Sequence, residues 1–287
     1  MDVKEIKNLH PCFNRESKKG RMHIPVCPAC NIMCRFCDRV IGGDSEEIRP
    51  GVSRSLILPE KAADYVADAL KCCPEISVVG IAGPGDTLAT DHAFRAFRSI
   101  HERFPDLIKC MSTNGLLLPE KIGDVISAGI GTLTVTVNAV DLRILSQLND
   151  GIVYHGKRYE GEEAGLILIR NQMEGIRLAV AAGMIVKVNT VLAPAINGDH
   201  IASIAKQVGK AGANIYNIIP LIPQHKLRDQ PIPTCSEIDE ARVGAEAYVP
   251  VFRHCQHCRA DAIGLLGGSD FGGRIYQNRI ADTFSHG

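Results

Sequence analysis

Six short runs rich in Val, Ile and Thr alternate with longer amphipathic stretches along most of this chain. The runs are Met22–Cys27, Val78–Ala82, Leu107–Ser112, Thr132–Asn138, Ile185–Val191 and Asn214–Leu221. Strands covered on both faces read this way, as near-continuous apolar segments. Between them, Pro59–Cys72, His92–Phe104, Pro119–Ala128, Glu163–Ala182 and Asp199–Ala211 carry helix signals. Pro59 and Pro119 fit first turns, and Gly129 and Gly183 fit helix ends. Repeated β/α units imply an α/β fold, most economically a TIM-like parallel (β/α) barrel, complete or partly open. A doubly wound sheet shares the alternation. Asn149–Gly161 is polar and is expected to form a long loop, and the tail from Gly264 is expected to be mobile or ordered by ligand. No linker separates two domains. The barrel is expected over residues 22–250, with an N-terminal segment over 1–21 and a C-terminal one over 251–287.

Composition narrows the class. With 287 residues, 45% of them hydrophobic, the chain can bury a sizeable core. Its 32 basic residues balance 32 acidic ones, leaving no electrostatic footprint for nucleic acid or anionic lipid. No apolar run is long enough to span a bilayer, and Met1–His10 lacks the apolar core of a signal peptide. A cytoplasmic protein is expected. The 11 cysteines are odd in number and clustered, which points to metal ligation rather than disulfides.

In barrels of this kind the strand C-terminal ends build the active site, and here those ends carry the unusual residues. Cys30, Cys34 and Cys37 form C-x3-C-x2-C directly after the first strand. Three thiolates on one loop can hold three corners of a 4Fe–4S cluster and leave the fourth iron open, whereas a purely electron-transferring cluster normally has four thiolates. An open iron can chelate the amino and carboxylate groups of S-adenosylmethionine (SAM). The same loop could instead bind zinc with a fourth ligand, although zinc loops favour paired C-x2-C knuckles. Phe36 is placed to meet the adenine. Gly83 and Gly85 would let backbone approach the methionine amino group, with Asp86 accepting from it. Ser112, Asn114, Asn138 and Asn189 offer hydrogen bonds for ribose and carboxylate, although glycine-rich turns alone more often mean tight turns.

A second set of thiols comprises Cys12, Cys27, Cys110, Cys255 and Cys258. Cys255 and Cys258 form a histidine-flanked C-x2-C pair suited to a metal or cluster, or to a surface redox pair. Cys110 near a strand end could be a ligand or a small buried hydrophobe. Cys72, Cys73 and Cys235, the last in a Pro-rich loop, read as structural or incidental.

HPCFN (10–14), GRMHIPVCPACNIMCRFCDR (20–39), RPGV (49–52), GIAGPGD (80–86), CMSTNGL (110–116), TVTVNAVD (134–141), VKVNTV (186–191), NIIPLI (217–222) and RHCQHCRADAIGLLG (253–267) run in order along nearly the whole chain. In these motifs the chain resembles the NifB family of radical SAM maturases, in the short form without an appended carrier domain. The resemblance implies three 4Fe–4S clusters, one cleaving SAM and two auxiliary. It implies Cys12, Cys255 and Cys258 as ligands to one auxiliary cluster, and His10 and Cys110 as ligands to the other. Family members often carry a further cysteine about six residues after the triplet; here residues 40–45 lack it, and Cys27 could substitute. The implied chemistry fuses the two auxiliary clusters around a SAM-derived carbide, with one added sulfur, into the eight-iron precursor of the nitrogenase cofactor. Arg49, Glu46 and Glu47 are candidates for moving charge or protons near that substrate, or else a solvated polar loop. Implied partners are iron–sulfur cluster donors, a reductant such as ferredoxin or flavodoxin, and nitrogenase scaffold or carrier proteins. The rivals are a radical SAM enzyme with a permanent auxiliary cluster acting on a small molecule or peptide, and a non-catalytic iron–sulfur scaffold.

Overall fold

A computed structural model describes residues 3–14, 16–42, 47–255, 257–277 and 285–286. Its main sheet contains β1 (Gly20–His23), β2 (Ile76–Ile81), β3 (Ile108–Thr113), β4 (Thr132–Thr136), β5 (Ile185–Leu192), β6 (Ile215–Pro220), β7 (Val251–Phe252) and β8 (Ile263–Leu265). The spatial order is β7-β6-β5-β4-β3-β2-β1-β8. The first seven strands are mutually parallel. Helices α1 (Val3–Leu9), α2 (Ala62–Cys72), α3 (His92–Arg103), α4 (Leu118–Ser127), α5 (Leu142–Leu148), α6 (Gly161–Ala181), α7 (Ile201–Lys210) and α8 (Cys235–Glu246) complete the main elements. The expected barrel is thus open. β8 takes the free edge of β1 antiparallel, Arg21 facing Gly264, and so cannot continue a parallel ladder round to β7.

Four segments differ from expectation. β1 ends at His23 because Pro25 has no N–H for the ladder. Asn149–Gly161 is not a loop: Asn149–Tyr154 and Lys157–Tyr159 form a hairpin whose first strand also pairs with Ile32–Cys34 of the cysteine loop. Cys235 lies not in a loop but at the first position of α8. There Thr234 and Glu237 make a reciprocal capping box, a start signal that the preceding prolines mask. Much of the tail is built in: Asp270 accepts from the Ile263 and Gly272 amides, and the Tyr276 hydroxyl donates to the His23 carbonyl at 2.6 Å. Residues 278–284 and 287 lie outside the described residues.

Side chains alternate across the strands, so one face meets the helices and the other lines the bore. Met111, Leu133, Val135, Val186, Val188 and Tyr216 join one apolar cluster with helix residues such as Val66, Phe97, Ile176 and Ile204. On the bore side, Val78, Ile108, Ile185 and Ile215 near the strand starts pack with Phe252 and with Ile6 and Phe13 of the N-terminal segment. That segment therefore plugs the lower end of the bore.

Above the plug the bore turns polar. His23, Gly80, Cys110 and Thr132 are cross-strand neighbours on one level. Ser112, Thr134 and Lys187 form the next level, and Thr136, Asn189 and Asn217 the one above. Such interiors are usually filled by branched apolar side chains. Here His23, Cys110, Ser112, Thr136 and Asn189 are only half-buried although they lie inside the curved sheet.

Candidate functional site

The cysteine loop leaves β1 and is clasped from several sides. Asp86 N donates to the Ala29 carbonyl at 2.8 Å and Gly85 N to the Cys27 carbonyl at 2.9 Å. From the other side, Lys226 N and Leu227 N donate to the Arg35 carbonyl, and Gln224 Nε2 donates to that of Phe36 at 2.9 Å. Asp150 completes the clasp, accepting from Arg35 Nε at 2.8 Å and pairing with Lys226 Nζ at 2.7 Å. Phe36 packs in a small cluster with Leu148, Ala193, Leu221 and Leu227, near the ends of β5 and β6.

Cys30 is buried, and Cys34 and Cys37 are half-buried; all three are free thiols. Burial pushes the Cys30 and Cys34 thiols up in pKa, and each feels the neighbouring thiols. Arg39, which the sequence analysis did not single out, answers this charge. Its Nη2 donates to Cys30 Sγ at 3.4 Å and its Nε to the Pro84 carbonyl at 2.5 Å. Burial works against its charge, yet Cys30, Cys37, Cys34 and Asp86 together hold its pKa above the ordinary value. Its place two residues after the last cysteine was the available signal. Among the described residues no three His, Cys, Asp or Glu side chains converge on a single-ion site. A 4Fe–4S cube spreads its thiolates over three metal atoms, and three unpaired thiols on one clasped loop with a guanidinium alongside suit it.

At the neighbouring strand ends Asp86 has a different role from the one expected. It is 5% exposed. Oδ1 accepts from Leu88 N and Thr113 Oγ1, and Oδ2 from Asn114 N at 2.6 Å and again from Thr113 Oγ1. The carboxylate is thus consumed in tying the end of β2 to that of β3, and is not a free acceptor for an amino group. Burial still raises its pKa against these bonds. Gly85 likewise serves close backbone approach to the cysteine loop, and Gly83 has φ +131°, which suits glycine. Asn114 does face the loop: its Nδ2 donates to Asn31 Oδ1 at 2.7 Å and lies 4.0 Å from Cys30 Sγ. Asn31 Nδ2 and Gln172 Oε1 are buried without a partner. Ser112 is half-buried, and its carbonyl accepts from Thr87. Asn138 braces the ends of β4 and β5, its Oδ1 accepting from Val191 N. Asn189 Oδ1 accepts from Asn217 Nδ2 in the bore at 3.0 Å.

The structure brings part of the second thiol set together. Burial raises the Cys12 thiol to about 12, and Cys12 also feels Lys187, Cys258, Cys110 and Arg21. Arg21 Nη2 donates to Cys258 Sγ at 3.4 Å. His10 is 2% exposed; its Nδ1 accepts from Cys12 N and its Nε2 has no partner. Burial, then Lys187 and His23, hold the His10 pKa well below its usual value. Burial likewise takes His23 down to about 4. Arg21 Nε is a further buried polar atom without a partner, while the Thr132 hydroxyl meets the Cys110 thiol. Soft thiols, an imidazole and unsatisfied donors on one inner wall suit an iron–sulfur cluster. Cys255 is not part of the group and is exposed. Cys27 is corrected: fully buried in the helix-side core with Ile24, Ile57 and Leu88, it behaves as a small hydrophobe rather than an auxiliary ligand.

Arg49 is 7% exposed and braces its own loop, donating to the Asp38 carbonyl and to Glu47, both at 2.5 Å. It offers no free proton carrier, while the Glu47 side chain is largely exposed. Glu46 lies outside the described residues. No helix among the described residues is long and apolar enough to cross a membrane.

Known proteins match this architecture. The radical SAM superfamily pattern covers residues 24–208. FeMo cofactor biosynthesis protein NifB of Methanocaldococcus infernus is 49% identical over 263 residues, covering 91% of this chain and 87% of that protein. The NifB protein of Methanocaldococcus jannaschii is 47% identical with the same coverage. That of Klebsiella pneumoniae is 43% identical, and the match covers 90% of this chain but 57% of that protein. Streptococcus suis SuiB bound to S-adenosylmethionine superposes with a TM-score of 0.59 at 11% identity, over 83% of this chain and 51% of that one, and so shares the fold. Since identity approaching one half extends over nine-tenths of its length, the chain belongs to the radical SAM superfamily and, within it, to the NifB family of FeMo cofactor biosynthesis proteins.

Proposed function

We propose that this enzyme builds the eight-iron, carbide-centred precursor of the nitrogenase cofactor from two 4Fe–4S substrate clusters, SAM and one added sulfur. The observation that carries this is the inner wall of the bore, where the Cys12 thiol lies within the fields of both Cys110 and Cys258 and His10 Nε2 is buried without a partner. On this account residues 1–21 and 251–287 bring ligands to a barrel over 22–250.

Cys30, Cys34 and Cys37 would hold a 4Fe–4S group, which when bound would supply the electron that breaks a SAM carbon–sulfur bond. Arg39 steadies the thiolates, Asn114 lies beside the loop, and Phe36 offers an apolar surface for adenine. The half-buried Ser112 and Asn189, and the backbone of the buried Gly83, remain candidates for hydrogen bonds to SAM. One SAM gives its methyl group to a sulfide of a substrate cluster and leaves as S-adenosylhomocysteine. A second yields the 5′-deoxyadenosyl radical, which takes one hydrogen atom from that methyl group and leaves as 5′-deoxyadenosine. The two remaining hydrogens leave as protons, their bonding electrons staying with the fusing clusters. The bore confines the radical away from water. His10 suits a substrate that must leave. Its Nδ1 accepts from Cys12 N, so binding through Nε2 requires the proton to move to Nδ1 and that bond to be given up. Cys255, on the exposed segment after β7, is a ligand only if that segment folds inward. Arg49 holds the loop that carries Glu47, and Glu46 and Glu47 stand as proton carriers. A cytoplasmic location, cluster donors, a ferredoxin- or flavodoxin-type reductant and a nitrogenase scaffold or carrier belong to the same proposal.

The experiment is anaerobic turnover of the reconstituted enzyme with SAM labelled in the methyl carbon. Label should travel with iron released from the protein. Iron that stays on the chain, with label only in small organic products, points instead to a permanent auxiliary cluster.

A further inference from the structure

We propose that Lys187 is a positioning residue for the anionic iron–sulfur substrate, its ammonium compensating the charge of a cluster seated against Cys12 and Cys110. This rests on the proposal that the bore takes a cluster. Lys187 sits in mid-β5, opposite Thr134 and Ile215, and is 7% exposed. Its Nζ lies 5.3 Å from the Phe13 ring centre and 5.9 Å from that of Phe252. Among the described residues no carboxylate pairs with it and no hydrogen-bond acceptor meets it. Asp261, the fully buried carboxylate of this end of the chain, is committed to Arg54 and Arg259.

A charge taken out of water is costly unless paired, and a well-packed apolar residue of similar volume is often the more stable choice. Cation–π contact with two rings offsets part of that cost. It does not explain why a lysine occupies a place where methionine would fill the same gap between Phe13 and Phe252. Arg21 is the second cation on this wall, already donating to the Gly264 carbonyl and to Cys258. Two cations and several thiols, with no free carboxylate among the described residues, make a wall that favours an anion with soft acceptor atoms. A thiolate-ligated cluster is such an anion, and an ammonium can donate to its sulfides.

The test uses full-length Lys187→Met and Lys187→Arg, with Cys110→Ala alongside. Melting of the iron-free proteins is measured first, followed by iron content after anaerobic reconstitution and desalting. Lys187→Met should melt no lower than the parent yet lose about four irons, one cluster's worth, while Lys187→Arg keeps the parent's iron. Iron unchanged in Lys187→Met overturns the proposal, and so does a lowered or absent iron-free melting transition, which would make the lysine a structural element. Cys110→Ala separates the two levels. If it holds the parent's iron, the bore is no cluster site and the underlying proposal fails. If it loses iron while Lys187→Met does not, only the role of Lys187 falls.

Discussion

The backbone of Gly85 passes so close to Ala29 that a Cβ at position 85 would lie 2.1 Å from the Ala29 carbonyl oxygen. That contact seats the cysteine loop on the turn after β2. In Gly85→Ala the loop must move, so SAM binding and iron loading of the triplet should fall sharply. Gly123, in α4, has open space where its Cβ would stand, and Gly123→Ala should leave both unchanged while adding about 0.5–1 kcal/mol of stability. Equal SAM affinity in the two variants would refute the seating role.

Asp86 gives a second handle on the same junction. Asn at this position replaces one carboxylate oxygen by NH2, so either Leu88 N, which donates to Oδ1, or Asn114 N, which donates to Oδ2, is left facing a buried donor whichever way the amide is turned. Asp86→Asn should cost about 1–3 kcal/mol, read as a lowered urea midpoint with an unchanged slope.

The Asp150 clasp predicts a pH dependence. Burial opposes ionisation of Asp150, but hydrogen bonds from Lys226 and Arg35 outweigh it and hold its pKa below the usual carboxylate value. An acid with a depressed folded pKa adds stability that is full above the unfolded pKa, about 3.9, and is lost as pH falls through the folded value. Both partners are partly exposed, so Asp150→Asn should cost only about 0.5–1 kcal/mol at pH 7. The gap between parent and variant should close on acidification below pH 4. A gap that stays undiminished as pH falls well below 4 would assign the cost to something other than charge.

How far these features were legible in the sequence follows from the range of the interactions involved. The six strands and five long helices could be read because hydrophobic runs and Pro or Gly boundaries are local signals. The hairpin over 149–159 could not, because its first strand is completed by the distant segment Ile32–Cys34. The polar bore was hidden in plain runs: Thr132, Thr134, Lys187, Asn189 and Asn217 alternate with buried aliphatic residues inside strands that look uniformly apolar. Asp86 read as a ligand because its sequence shows a Gly-rich turn but not the three donors that converge on it from residues 88, 113 and 114. Cys27 read as a spare ligand because spacing cannot tell which face of a segment a thiol occupies.

The two cysteines at issue separate cleanly in the structure. Cys27→Ala should leave the cluster spectra unchanged and cost about 1 kcal/mol from lost apolar burial. Cys258→Ala should instead lower iron content while sparing basal SAM cleavage, because Cys258 shares the inner wall with Cys12 and Arg21. Iron analysis and 5′-deoxyadenosine assay of both variants check this, and a loss of iron in Cys27→Ala would return that thiol to the ligand set.

The most direct test concerns the loop of Cys30, Cys34 and Cys37 itself. The parent and a triple Ala variant are reconstituted anaerobically with iron and sulfide, and iron, the paramagnetic spectrum with and without SAM, and 5′-deoxyadenosine are measured. The parent should hold about twelve irons, change its spectrum on adding SAM and form 5′-deoxyadenosine. The triple variant should lose about four irons and all SAM cleavage. Undiminished 5′-deoxyadenosine in that variant, or a colourless parent carrying zinc on the loop, would contradict the account.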